Sequence, residues 1–422
     1  MKKFILFGTI ILTVLTFAYV FSASYNSQNM DRLDYVIAIG IDKTTTDGNI
    51  QVSFEFSNLE SFSDSNSSDG NKPIIDTVIA PSIPEAVNLM NAYASKQVNL
   101  SHCKVIVFSD SIAKEGILEE VTYFMNEPQI RPTTNLIIAK DSAKDYIKNS
   151  ASSLEGILTK YYDIFPTSTE YTGYTSNILL SRFYQSLIRD ESGSTAILGY
   201  LGPTTNTNDN QTNPLLESIS PNENIVSGDR STENIGLAVF KDDKYQGDLS
   251  AIETLCYTII EEEVDNFYLN IDTPLLENKN IDLSISSLEP TRVNLDISGE
   301  NPVLTIKLNL IAKTLTGQNF LDYSNQKTLE EVNDSLKLFI TSKMKDYLYK
   351  TSREYGCDIN GFFRMAKQKF LTIPEYENYN WAEKYKKAEF NVIVDSSVVS
   401  SFLVQNSWLR RSYEYLIYSF VF

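Results

Sequence analysis

Between Ile281 and Lys313 the chain alternates apolar and polar residues in three runs, at Leu283–Ile285, Val293–Ile297 and Leu304–Leu310. A period of two puts the apolar side chains on one face of a strand, so the runs predict three strands of an antiparallel sheet with one solvated face. The period then changes. Leu329, Val332, Leu336, Phe339, Ile340, Met344 and Tyr347 recur at helical spacing behind a Thr328/Glu331 capping-box pattern, and Gly356 is placed to end the helix. A sheet with one apolar face and a helix with one apolar stripe must bury against each other, which makes this end of the chain α+β. Asp358–Phe370 reads as a shorter helix and Ala388–Val399 as the last strand.

The first half alternates differently. Leu33–Ile41 and Ile50–Phe56 read as a hairpin across Asp47-Gly48, and Ile74–Ala80 as a third strand beyond a polar loop at 61–72. Ser82 and Glu85 form a capping-box pattern that opens a helix running to about Lys96. Strands at Lys104–Phe108, Asn135–Ala139 and Ala196–Leu201 are interleaved with helices at Ile112–Met125, Ala143–Lys148, Leu154–Tyr162 and Ser176–Arg189. That order predicts a mixed sheet covered by helices. Tyr161, Tyr162, Tyr171 and Tyr174 crowd one region, where packing is preferred to an aromatic ligand pocket. Residues 202–234 are rich in Asn, Thr, Ser and Pro and read as a linker.

The whole is a multi-domain α+β chain. It divides into a leader (1–24), an α/β domain (25–200), a linker (201–234), a small middle domain (235–278), a C-terminal domain with its antiparallel sheet on the long helix (279–405) and an aromatic tail (406–422).

Lys2 and Lys3 precede Phe4–Phe21, eighteen uncharged and mostly apolar residues. Basic residues before such a run and an acidic body after it place the body outside the cytoplasm. Cleavage near Ser22-Ala23-Ser24 and retention as a single-pass anchor are both open, and retention is preferred. The chain carries 36 basic and 54 acidic residues, a net charge of −18, which argues against nucleic acid as a partner. Cys103, Cys256 and Cys357 are too few and too scattered for a disulfide framework or a metal site, and no cofactor is expected.

The middle segment is IGLAVFKDDKYQGDLSAIETLCYTII, from Ile235 to Ile260. An apolar strand, a polar reversal and a return strand lead into a helix capped by Asp248 or Ser250, and Gly247 is expected to turn the backbone between strand and helix. Its residues Gly236, Ala238, Val239, Phe240, Lys241, Lys244, Gly247, Leu249, Ser250, Glu253 and Thr254 resemble the central motif of the C subunit of spore-germinant receptors, the Ger(x)C (GerAC-like) family. Further matches stand in the family's order: Gly40-Ile41-Asp42, the Arg131 segment before the apolar strand, Asp358-Ile359-Asn360-Gly361-Phe362, and Trp381 before the final strand. They span about residue 33 to about residue 400. The resemblance implies a non-enzymatic subunit on the outer face of the spore inner membrane, assembled with A and B subunits and needed for nutrient-triggered germination. It leaves contact with the small-molecule nutrient open. Family members also carry a cysteine after the hydrophobic run, whereas here Ser22-Ala23-Ser24-Tyr25-Asn26 stands there, so a lipoprotein anchor is not expected.

Two other classes compete. A free-standing exported solute-binding protein predicts two similar lobes about a cleft, which the unlike halves do not supply. An exported hydrolase needs a base beside its nucleophile, and the single histidine, His102, is adjacent to Cys103 on a strand, where neighbours face opposite sides.

Overall fold

The apolar runs collect into two sheets that share one core. A computed structural model describes residues 2–25, 32–46, 48–57, 74–150, 158–189, 191–201, 232–275, 280–315, 323 and 325–400. Asp47 of the expected turn, the polar loop at 61–72, the start of the Leu154 helix, most of the linker and the tail at 406–422 lie outside the described residues.

The first half contains α1 (Lys2–Tyr25), β1 (Leu33–Lys43), β2 (Ile50–Phe56), β3 (Ile74–Ala80), α2 (Ile83–Tyr93), β4 (Gln97–Asn99) and β5 (Val105–Ser109). Next come α3 (Asp110–Glu115), α4 (Leu118–Asn126), β6 (Asn135–Ala139), α5 (Ala143–Asn149), α6 (Leu158–Ile164), α7 (Thr169–Thr172), α8 (Leu180–Leu187), β7 (Ser194–Leu201) and β8 (Thr232–Glu233). Then follow β9 (Leu237–Lys241), β10 (Lys244–Leu249), α9 (Ala251–Ile260), β11 (Asn266–Asp272), β12 (Asn280–Asp296) and β13 (Val303–Thr314). Last are α10 (Gln326–Tyr349), α11 (Phe363–Lys367), α12 (Ile373–Tyr379), α13 (Trp381–Tyr385) and β14 (Glu389–Ser400).

Ten strands make the first sheet, with β4 and β8 as short additions to the path β10-β9-β7-β6-β5-β1-β2-β3. The central strands β1, β5, β6 and β7 are parallel, and β5 and β6 are buried along their whole length. Burial on both faces is why they read as unbroken apolar runs rather than alternating ones. The hairpin β2–β3 extends one side antiparallel, and β9–β10 the other. Helix α5 lies close over β1: a Cβ on Gly40 would come within 2.8 Å of Ile147 Cδ1, so the crossing needs a glycine there.

The second sheet has the order β11-β12-β13-β14. Its first three strands are antiparallel as the alternation predicts, while β14 lies parallel to β13 from Val303↔Glu389 to Thr314↔Ser400. A parallel neighbour needs a long crossover, and α10 with the three short helices after it provides one. Ile281, Leu283 and Ile285 with Leu304, Ile306, Leu308 and Leu310 turn inward, and Val332, Leu336, Ile340 and Met344 of α10 are buried among the same core.

Several boundaries differ from expectation for local reasons. The two runs around Pro290 are one strand, β12, with register shifts between Ser287 and Arg292; proline has no N–H to give to the ladder, so the strand bulges instead of turning. The third antiparallel strand is β11, in the segment after Glu261–Glu263. The helix expected at Ile112–Met125 divides at Gly116, which sits at φ +124. α10 is capped by Asn325, whose side chain accepts from Lys327 N at 3.0 Å, rather than by Thr328. Its last turn widens to a π-helical one over Lys350–Tyr355 and stops at Gly356 in the left-handed region. Residues 235–278, expected as a small middle domain, are divided between the sheets: β9 and β10 complete the first and β11 opens the second.

Side chains of α1 are described at Ile5 and Phe7–Phe17, and all of these are exposed. Among the described residues no helix is long and apolar enough to cross a membrane.

Candidate functional site

The strongest concentration of charged and hydrogen-bonded groups lies where the two sheets meet, around β10 and α9. The local fold follows from the sequence. β9 reverses through Asp242, at φ 55, into β10, and Ser250 then caps α9. The cap is reciprocal: Glu253 N donates to Ser250 Oγ at 3.3 Å and Ser250 N to Glu253 Oε2 at 2.7 Å. Gly236 enters β9 at φ +89, and a Cβ there would strike the Leu249 carbonyl at 2.4 Å. Phe240 is fully buried, edge-on to Phe183 at 5.1 Å.

Across this unit comes the end of α10. Lys350 Nζ reaches Glu253 Oε2 at 2.8 Å and the Asp248 carbonyl at 2.9 Å, and Tyr355 Oη donates to the same carbonyl at 2.8 Å. Gly247 makes room for that ring, since a Cβ would lie 2.8 Å from Tyr355 Cε1. It is therefore not the turn between strand and helix that the sequence predicts: it lies inside β10, beside a register shift, and its φ is not in the left-handed region. On the other side Asp248 is held by Lys140 at 2.5 Å and by the Tyr245 hydroxyl.

A second clamp joins the end of α9 to α8. Arg182 reaches Glu261 at 2.7 Å and Glu263 at 2.5 Å, Ser176 donates to Glu263, and Asn360 Nδ2 donates to Glu261 at 3.0 Å. Glu261 and Glu263 are thus paired rather than solvated. Their cation lies 79 residues earlier than Glu261, a separation that no local pattern reveals. Arg182, Tyr257, Glu261 and Asn360 also line a small cleft of about 20 Å³.

The two motif aspartates are both buried and both cap helices. Asp42, at the end of β1, accepts from Ala143 N at 2.7 Å, Lys144 N at 2.9 Å and Ser142 Oγ at 3.4 Å, tying α5 to the sheet. Burial is the largest influence on its carboxyl and raises its pKa against those hydrogen bonds. Asp358 accepts from Phe363 N at 2.7 Å and Trp381 Nε1 at 3.0 Å, and burial pushes it up to about 6. Gly361, at φ +71, lets the chain turn between Asp358 and α11. Trp381 is buried and stacks obliquely on Tyr385 at 5.7 Å. Arg131 is exposed on its loop and takes no part in the joint.

Cys103 is buried, donates to the Val105 carbonyl at 3.4 Å, and has its thiol pushed up to about 12 by burial. His102 is exposed, edge-on to Tyr35 at 4.4 Å. Tyr161 and Tyr162 are buried side by side, while Tyr171 is exposed, so these tyrosines pack rather than line one pocket. Glu55 lies buried in β2 with one oxygen accepting from Tyr162 at 3.1 Å and the other unpartnered, and burial raises its pKa to about 8. Among the described residues no group of three or more His, Cys, Asp or Glu is placed to hold a metal ion.

Comparison with known proteins agrees with the motifs. Residues 26–203 match the family described as spore germination protein N-terminal domain, and residues 235–401 match the spore germination B3/GerAC-like C-terminal family. YfkR of Bacillus subtilis (strain 168), a protein named for spore germination, is 22% identical over 327 residues, 76% of each chain. The crystal structure of the GerBC protein is similar with a TM-score of 0.51 over 86% of this chain and 96% of that one, at 13% identity, which is a likeness of fold. This chain belongs to the GerAC-like spore germination family.

Proposed function

We propose that this protein is the non-enzymatic C subunit of a nutrient germinant receptor, held at the outer face of the spore inner membrane beside A and B subunits. The observation that carries the reading is the use made of the motif residues. Gly236, Phe240, Gly247, Glu253, Asp358, Gly361 and Trp381 are spent on the strands, caps and close contacts of the joint between the two sheets. Such residues fix the relative placement of two halves, as a subunit of an assembly requires.

In this reading Phe4–Phe21 is the anchor. At 1.5 Å per residue it spans about 27 Å, against a hydrocarbon core of about 30 Å, and Lys2 and Lys3 extend its reach. Deleting the chain is expected to block nutrient-triggered germination while growth stays normal, and a tagged copy is expected to bring down A- and B-type subunits from spore membranes. Deletion spores that answer every nutrient normally, with no such subunits recovered, overturn the assignment. N-terminal sequencing of the membrane-bound protein separates the anchors: a start near Met1 supports retention, and a start at Tyr25 ends it.

A further inference from the structure

The turn between α11 and α12 presents an apolar tip to solvent. Leu371 is 97% exposed and Ile373 61%, the first being the most exposed large apolar side chain among the described residues. The exposure is built rather than loose. Leu371 N and Thr372 N both donate to Glu375 Oε2, at 3.2 and 3.3 Å, and Glu375 N returns a bond to Thr372 Oγ1 at 3.4 Å. Leu371 stands just before the helix cap, where an apolar residue ordinarily folds back on the fourth helical residue. That residue is Tyr376, which is buried and packs on Phe370 instead, so the leucine is left pointing outward.

The charge around the tip is as unusual as its exposure. In a chain of net −18, residues 364–387 carry Arg364, Lys367, Lys369, Lys384, Lys386 and Lys387 against Glu375, Glu377 and Glu383. Glu375 is occupied by the turn and Glu383 by Lys386, while Lys367 and Lys369 are both exposed just before the tip; of the acidic groups on neighbouring elements, Asp296 interacts with Lys369 and Glu191 with Tyr376. A fixed apolar wedge flanked by cations matches an anionic lipid surface, with alkyl groups entering the headgroup layer and cations meeting phosphates. A protein pocket for one leucine would ask for no such excess of positive charge.

We propose that the 368–373 turn is a membrane-contact wedge that seats the C-terminal half on an anionic bilayer. The inference rests on exposure and charge and stands apart from the receptor assignment. It is tested on the full chain reconstituted into vesicles of equal phosphatidylglycerol and phosphatidylcholine. Cys103, Cys256 and Cys357 are all buried, so a Leu371→Cys variant takes a polarity-sensitive fluorophore at one place. The expected result is a several-fold brighter, blue-shifted signal that lipid-borne quenchers reduce, with none at a Leu338→Cys control on α10. Lys367→Glu together with Lys369→Glu, or phosphatidylcholine alone, should lose it, with about fivefold weaker contact for each lysine removed. A label at position 371 that stays wet in the anionic vesicles overturns the wedge, as does one that dries only when partner subunits are added. Flotation of the same samples reads the α1 anchor separately, because a chain that floats while position 371 stays wet keeps the anchor and loses the wedge.

Discussion

The centre of the first sheet and the joint with the second are held by opposite means. In the first, β1, β5, β6 and β7 bury Ile39, Val107, Ile137 and Leu198 completely, and the main polar group enclosed nearby, Glu55, has only half its hydrogen-bonding capacity met. In the joint, charged groups are paired nearly everywhere: Lys350 with Glu253, Lys140 with Asp248, Arg182 with Glu261 and Glu263. Apolar burial is non-directional and tolerates small slides of one layer on another. Hydrogen-bonded ion pairs do not, so the joint specifies one placement of the two sheets more than it adds stability. The family boundary sharpens the contrast. The C-terminal family region begins at residue 235, yet its first two strands complete the N-terminal sheet, so the joint lies within one continuous core.

The contrast can be tested from its weakest polar point first. Glu55 has its pKa raised from 4.5 to about 8, so between those values the native state holds a proton that the unfolded chain has released. Stability from this group is therefore lost as pH rises through that window. Glu55→Gln should match the parent near pH 5 and exceed it by about 4 kcal/mol at pH 8, at about 1.4 kcal/mol per pKa unit. Denaturant melts at the two pH values check this, and parallel curves for both proteins would mean the carboxyl finds partners in solution.

Gly247→Val asks whether the joint tolerates bulk. The new side chain meets the Tyr355 ring, at a cost of about 3 kcal/mol, and is expected to uncouple the halves into two thermal transitions. One unchanged transition would show that the ring moves aside and that the joint is no more specific than the sheet. Trp381→Phe keeps most of the packing but removes a donor from Asp358, so a loss of about 1–2 kcal/mol is expected, larger at pH 8 than at pH 4 because only the ionised carboxyl misses the bond fully. A loss independent of pH would assign the tryptophan to packing alone. The smallest effect belongs to the first sheet. Asp42→Ala removes the cap of a seven-residue helix already buried on β1, costing about 1 kcal/mol in thermal unfolding and leaving the joint transition untouched.

Period and local chemistry made much of the fold legible before any coordinates. The alternation at Leu304–Leu310, the stripe of α10, the stop at Gly356 and the cap at Ser250 each depend on residues a few positions apart. The motif positions were legible too, but not their work. Gly247 read as a turn because glycine is freest there, while its actual constraint is a tyrosine ring 108 residues later. Nothing near Glu261 and Glu263 in the sequence marks them as paired, because Arg182 is out of sequence view.

What the sequence determined by itself is therefore local: which segments are strands or helices, where they are capped, and which family's pattern they follow. Tertiary structure alone decided that β14 lies parallel to β13, that residues 235–249 extend the first sheet, and which charges meet. The physical reason is range. Backbone preference and amphipathic period act within a few residues, whereas strand order and ion pairing are set by which buried surfaces and charges find each other once the chain has closed loops of a hundred residues.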